Sequence, residues 1–210
     1  MIAICKILRN TNYIKLLIAF GCFFGIFNGM SIVLSYMLKP WFDDILPEAV
    51  SFVGGSPIIS GIIGVSIFGP MQRRSKVFKK WIIICMLGSS VAIALFYPLL
   101  ETDSLVLVSL ISAFNSFFLI PLVPIMLELG CELAFPVGEG TAVGFLFAMG
   151  NFSGFVFGNF LFNLGSILSL IVEGNGKGET GAGLGFCFVM FLIGILMILL
   201  MKEQLNRMNS

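Results

Sequence analysis

Glu128, Glu132 and Glu139 crowd into the short run 128–140 of a 210-residue chain that has only eleven Asp and Glu in all. Carboxylates so placed are suited to carry protons, to bind cations or to pair with basic side chains. Glu128 and Glu132 are four residues apart and so share a helix face, and Pro136 predicts that this helix ends before Glu139 opens the next. Amides are the second group of interest, because Asn28, Asn115, Asn151, Asn159 and Asn163 all stand inside apolar runs. An amide offers two donors and an acceptor without a charge, which fits it either to coordinate a polar or cationic solute or to join two helices. The chain has no histidine, which excludes a Ser/His triad, a His metal cluster and an imidazole haem ligand. The expectation is a protein that is not an enzyme and has no catalytic residue, metal or cofactor.

The elements that hold these residues are apolar. Hydrophobic residues make up 58% of the chain and charged residues 11%, and the mean hydropathy is +1.06. That is more apolar surface than a soluble domain of this length can bury. Runs over 14–38, 52–70, 81–99, 104–127, 140–172 and 184–201 approach or exceed the ~20 residues needed to cross hydrocarbon as a helix. They are continuous rather than alternating, which argues against a β-barrel. The fold class expected is an all-α membrane protein, a single bundle of six transmembrane helices spanning 1–210.

Of the twelve Lys and Arg, all except Lys39 and Lys177 fall at the first span's start, between the second and third spans or after the sixth. By the positive-inside rule both termini then face the cytoplasm. Asp43, Asp44, Glu48, Glu101, Asp103, Glu173 and Glu179 gather on the outer side. The first apolar run is too long for a cleaved signal peptide and is expected to stay in the membrane. Cys5, Cys22, Cys85, Cys131 and Cys187 are odd in number and suggest neither a disulfide framework nor a zinc site. The expected partners are the lipid bilayer and a small solute, with no nucleic acid.

Connections and glycines add detail. Met71 to Lys80 reads as a short basic anchor. Glu173 to Gly183 reads as a flexible outer loop whose Gly176, Gly178 and Gly181 match GxGxxG without the preceding strand that nucleotide binding needs. Gly21, Gly25 and Gly29 form a bare stripe at four-residue spacing, as do Gly150, Gly154 and Gly158; each predicts a close helix approach, fixed or rocking. Pro57, Pro121 and Pro124 predict kinks. The topology puts Glu128, Glu132 and Glu139 at the cytoplasmic rim, where pairing with Arg73, Arg74 or Lys76 makes a latch or gate; direct contact with solute or proton is the alternative use. The solute itself is expected at the midplane, with Asn28, Asn115 and Asn151 as the cavity residues.

Glu128-x3-Glu132-x-Ala134-Phe135-Pro136-x2-Glu139-Gly140-Thr141, followed by Gly144 and Asn151, resembles the tenth and eleventh helices of the feline leukaemia virus subgroup C receptor-related family of major facilitator transporters. Gly69 to Lys80 is similar to the cytoplasmic loop in the second half of that superfamily, with its usual Asp replaced near Gln72 and Arg73. The resemblance implies one half of a major facilitator fold, and so a second six-helix bundle, either a missing N-terminal half or another copy of the chain. It implies alternating access around a midplane site and transport of haem or of choline and ethanolamine. It also implies that Asn151 stands for a cavity Gln and Asn28 for a cavity aromatic, leaving Trp41, Tyr36 or a Phe of the second bundle to face a quaternary ammonium. The rival reading is a non-transporting six-helix scaffold or partner subunit, or a truncated product without activity of its own.

Overall fold

Asn10 starts the first helix. Its side-chain oxygen accepts from the backbone N–H groups of Asn12 and Tyr13 at 3.0 and 3.4 Å, satisfying donors that the first turn leaves without a partner. In the computed structural model, which describes residues 7, 9–75, 77–171 and 177–201, six α-helices follow: α1 (Thr11–Phe42), α2 (Leu46–Ser75), α3 (Phe78–Leu100), α4 (Leu105–Ala134), α5 (Glu139–Ile171) and α6 (Lys177–Leu199). A single 3-10 turn, Asp43–Ile45, separates α1 from α2. There is no strand among the described residues.

Five helical stretches are long and apolar enough to cross a membrane, against the six spans expected. The difference lies in the first, Thr11–Ser75, where α1, the 3-10 turn and α2 run on without a coil residue. The sequence suggested a loop around Lys39 to Ser51, but Pro40, Asp43 and Asp44 all fit into helical turns and only tighten them. Helices also reach further than the apolar runs. α2 runs on to Ser75 and α3 starts at Phe78, within the stretch Met71 to Lys80 expected to connect two spans. α6 starts at Lys177, so the expected loop 173–183 gives up Lys177 to Gly183 to helix. Packing explains this: Gly181 lies against the Tyr97 ring, and the Thr180 hydroxyl donates to the Met37 carbonyl at 3.4 Å. The match at Gly176, Gly178 and Gly181 therefore has its last two glycines inside a helix, and Gly176 lies outside the described residues. The end of α4 falls where Pro136 predicts, with Phe135 extended at φ −51°, ψ 137°, because a residue before proline is pushed out of the helical region.

Two pairings dominate the packing, α1 on α5 and α2 on α4, with α3 against α4 and α6, and α6 also against α1. The α1–α5 seam is the meeting of the two glycine stripes: a Cβ on Gly29 would stand 3.1 Å from the Gly158 nitrogen. In the α2–α4 seam the Ser56, Ser60 and Ser112 hydroxyls donate across the interface to the carbonyls of Ser109, Ala113 and Val53 at 3.1, 2.6 and 2.8 Å. Polar bonds of this kind hold helices together where lipid offers no hydrophobic drive. Phe68 of α2 locks the same seam, with Phe117, Phe118 and Trp81 rings 5.6 to 6.0 Å away.

One end of the bundle is tied by polar side chains. The Lys15 ammonium donates to the Leu200 carbonyl, and that of Lys79 to Leu199 and Met201, all at 2.7 to 2.8 Å. These are cations on the negative end of α6. At the same end the Asn10 amide donates to the Leu133 carbonyl at 2.8 Å and the Tyr13 hydroxyl to Ala142 at 2.7 Å.

Candidate functional site

The amides expected to share one cavity fall into two places. Asn28 of α1 and Asn151 of α5 meet: Asn28 Nδ2 donates to Asn151 Oδ1 at 3.5 Å, while Asn151 Nδ2 donates to the Phe147 carbonyl one turn earlier at 2.8 Å. Each amide thus commits one N–H to the protein. Asn28 Oδ1 has no hydrogen-bond partner among the described residues, and Asn151 Oδ1 has only the long bond from Asn28. Asn28, Ser31, Ile32, Asn151, Gly154 and Phe155 line an open groove of about 410 Å³. Gly154 matters to its shape, since a Cβ there would stand 2.8 Å from Asn28 Cβ. The groove offers amide oxygens as acceptors beside the exposed ring of Phe155, and no charged side chain lines it.

Asn115 lies elsewhere, in a partly open cavity of about 310 Å³ lined by α1, α2, α3 and α4. The buried Ser89 hydroxyl donates to Asn115 Oδ1. Ser31 lines both spaces, so the groove and the cavity adjoin. Asn159 and Asn163 reach neither. Each donates to a carbonyl one turn back, Phe155 and Asn159, at 2.7 and 2.8 Å, and both are exposed on α5.

Acids and arginines share one end of the bundle. Glu128 and Glu139 are exposed, whereas Glu132 is buried, one residue from the Leu133 carbonyl held by Asn10. Four-residue spacing puts Glu128 and Glu132 on one face, but the start of α1 closes over only the last turn of α4. Arg73 and Arg74 are exposed at the end of α2. Among the described residues no ion pair joins either of them to Glu128, Glu132 or Glu139 in this conformation. Lys76, the other basic side chain considered, lies outside the described residues.

Neither aromatic expected from this chain reaches the groove: Trp41 packs edge-on against Tyr97 at 6.4 Å, and Tyr36 lies 5.9 Å from Phe162. Phe155 takes that place. It was hidden in the sequence among the many Phe residues of the chain, although its position one turn after Asn151 was the available signal. Ser31, Ser89 and Ser116 also went unremarked, because a serine within a span is most often bonded to its own helix.

No family model matches the chain. It is similar to an uncharacterized MFS-type transporter, C09D4.1 of Caenorhabditis elegans, with 27% identity over 98% of this chain and 33% of that protein. It is similar to the choline/ethanolamine transporter flvcr2a of Danio rerio, with 29% identity over 99% of this chain and 42% of the relative. Human choline/ethanolamine transporter FLVCR2 is 26% identical over 99% of this chain and 38% of its own length. The chain spans about a third to two fifths of the length of these relatives. Apolar helices and transporter relatives together make it an integral, multi-pass membrane protein.

Proposed function

Because the chain is related over nearly its full length to major facilitator-type and choline/ethanolamine transporters, we propose that it forms one six-helix bundle of a secondary transporter for a small alkylammonium alcohol. The observation that carries this reading is the α1–α5 groove, where amide oxygens of Asn28 and Asn151 stand beside the Phe155 ring. Amide oxygens accept from a hydroxyl or a primary ammonium, and an aromatic face attracts a methylated one, by about 0.5 to 2 kcal/mol. Haem is not part of the proposal. The relatives' names mention choline and ethanolamine, and no groove side chain is an iron ligand.

In this reading six crossings, not five, make the bundle. A straight helix of 65 residues would be roughly 100 Å long, more than three times the ~30 Å hydrocarbon core, so Thr11–Ser75 turns back at Asp43–Ile45. The end bearing Lys15, Arg73, Arg74, Lys79 and Lys80 faces the cytoplasm. A second helical bundle, attached or separate, faces the groove and completes the solute path, and the two rock about it. Glu128, Glu132 and Glu139 with Arg73 and Arg74 act as the gate at the cytoplasmic rim, pairing in the state opposite to the one seen here. Exposure of Arg73, Arg74, Glu128 and Glu139 at one end supports that reading.

Uptake of radiolabelled choline and ethanolamine into proteoliposomes tests it. Asn151→Leu is expected to lower uptake at least tenfold while leaving the helical signal unchanged, and unaltered uptake would remove the groove from the path. For the gate, Glu132→Gln is expected to shift the balance of inward- and outward-facing crosslinks. An unchanged balance counts against it.

A further inference from the structure

We propose that the partly open cavity between α1, α2, α3 and α4 is a second binding site, beside the α1–α5 groove, for a small neutral alcohol or carbonyl compound with an apolar body. It does not rest on the transport reading. Its walls are apolar, with Phe27, Met30, Ile93, Phe96 and Leu119 among them, and its volume of about 310 Å³ is at the lower end of the range for small-molecule sites.

One corner is polar, with Asn115 and Ser116 side by side on α4. The Ser89 hydroxyl, fully buried on α3, donates to Asn115 Oδ1. This engages the amide oxygen and leaves the two N–H groups of Nδ2 free to donate. None of the described residues accepts from them. Ser116, the next residue, is 4% exposed, lines the same cavity, and its hydroxyl makes no hydrogen bond with a described residue. Buried polar groups are almost always paired, and a donor left without an acceptor is unfavourable. Half-buried Asn115 and buried Ser116, neighbours on one wall of the cavity, can both donate to the oxygen of a bound compound.

Charge decides the rest. No Asp, Glu, Lys or Arg lines the cavity, so an ion would be stripped of water there without a counter-charge. The groove differs, since Asn28 and Asn151 each commit one N–H to the protein and Asn28 Oδ1 stays available as an acceptor. The two spaces adjoin at Ser31 but select for different head groups.

Equilibrium dialysis of radiolabelled 3,3-dimethylbutan-1-ol, the uncharged carbon analogue of choline, tests this with the 210-residue chain in lipid nanodiscs and with empty nanodiscs as reference. Saturable binding above the empty-disc level is expected, and excess choline should not displace it. Asn115→Leu should weaken it at least tenfold and Ser116→Ala about threefold, whereas Asn151→Leu should leave it within twofold. Ser116→Ala removes one hydroxyl that holds nothing else, so it decides the matter if Asn115→Leu fails to fold. Binding no greater than in empty discs, displacement by choline, or undiminished binding by Ser116→Ala would overturn the proposal. Failure of choline uptake would leave it standing.

Discussion

Asn10 serves three groups at once: it caps α1 through the N–H groups of Asn12 and Tyr13, and its own amide donates to the Leu133 carbonyl. With the buried Tyr13 hydroxyl on Ala142, it pins the start of α1 to both sides of the α4–α5 junction. Tyr13→Phe keeps the ring and loses only the bond, so it is expected to lower stability by about 1 kcal/mol. Asn10→Ala loses both the cap and the tie to Leu133, and about 2 kcal/mol is expected. Reversible unfolding in detergent, followed by helical signal, measures both. Equal effects would mean that the tie to Leu133 contributes nothing. Little of this was legible in sequence. A capping Asn ahead of an apolar run is a recognised start signal, but the first span was placed from Ile14 onward by hydropathy alone. Leu133 and Ala142 enter only as backbone carbonyls, which no side-chain pattern reveals.

Proline and glycine act together between α2 and α4. Pro121 has no N–H, so the Phe117 carbonyl one turn earlier lacks its helical partner. Gly64 of α2 sits against that carbonyl, and a Cβ there would approach it to 2.2 Å, with Pro121 Cγ at 3.0 Å. Backbone cannot yield as a flexible side chain can. Gly64→Ala is therefore expected to destabilise by about 1 to 3 kcal/mol. On the same helix nothing lies within 4 Å of a Cβ at Gly55 or Gly69. There the exchange for alanine should be neutral or stabilising by up to about 1 kcal/mol, since only helix propensity changes. Thermal denaturation of the three variants in one detergent separates the cases, and a uniform response would contradict the close approach at Gly64. Stripes of glycine at four-residue spacing marked α1 and α5 as close-packing faces. That each was the partner of the other needed the fold, because Gly29 and Gly158 are far apart in the chain.

Sidedness is a property of the whole bundle, and labelling tests it. In a cysteine-free background, Asp44→Cys and Thr102→Cys are expected to react with an impermeant maleimide from outside, and Arg74→Cys only from the cytoplasm. Labelling of Asp44→Cys and Arg74→Cys from the same side would show that Thr11–Ser75 does not cross twice. Composition and charge order carried the coarse architecture: apolar runs of crossing length predict membrane helices whatever their neighbours, since lipid forces every backbone group to be paired within its own segment. Pro136 likewise predicts its helix end locally, by crowding the residue before it. The run 128–140 carried the resemblance to a transporter family, and the relatives agree with it along nearly the full chain. The polar side chains were different. Five Asn residues in apolar runs looked alike in sequence, yet Asn28 and Asn151 share a groove, Asn115 faces a separate cavity, and Asn159 and Asn163 reach neither. Hydropathy depends on each residue alone and fixes which segments enter the bilayer. The direction in which an amide turns its oxygen or its N–H groups depends on partners such as Ser89 and Phe147, which only the packed helices bring within reach.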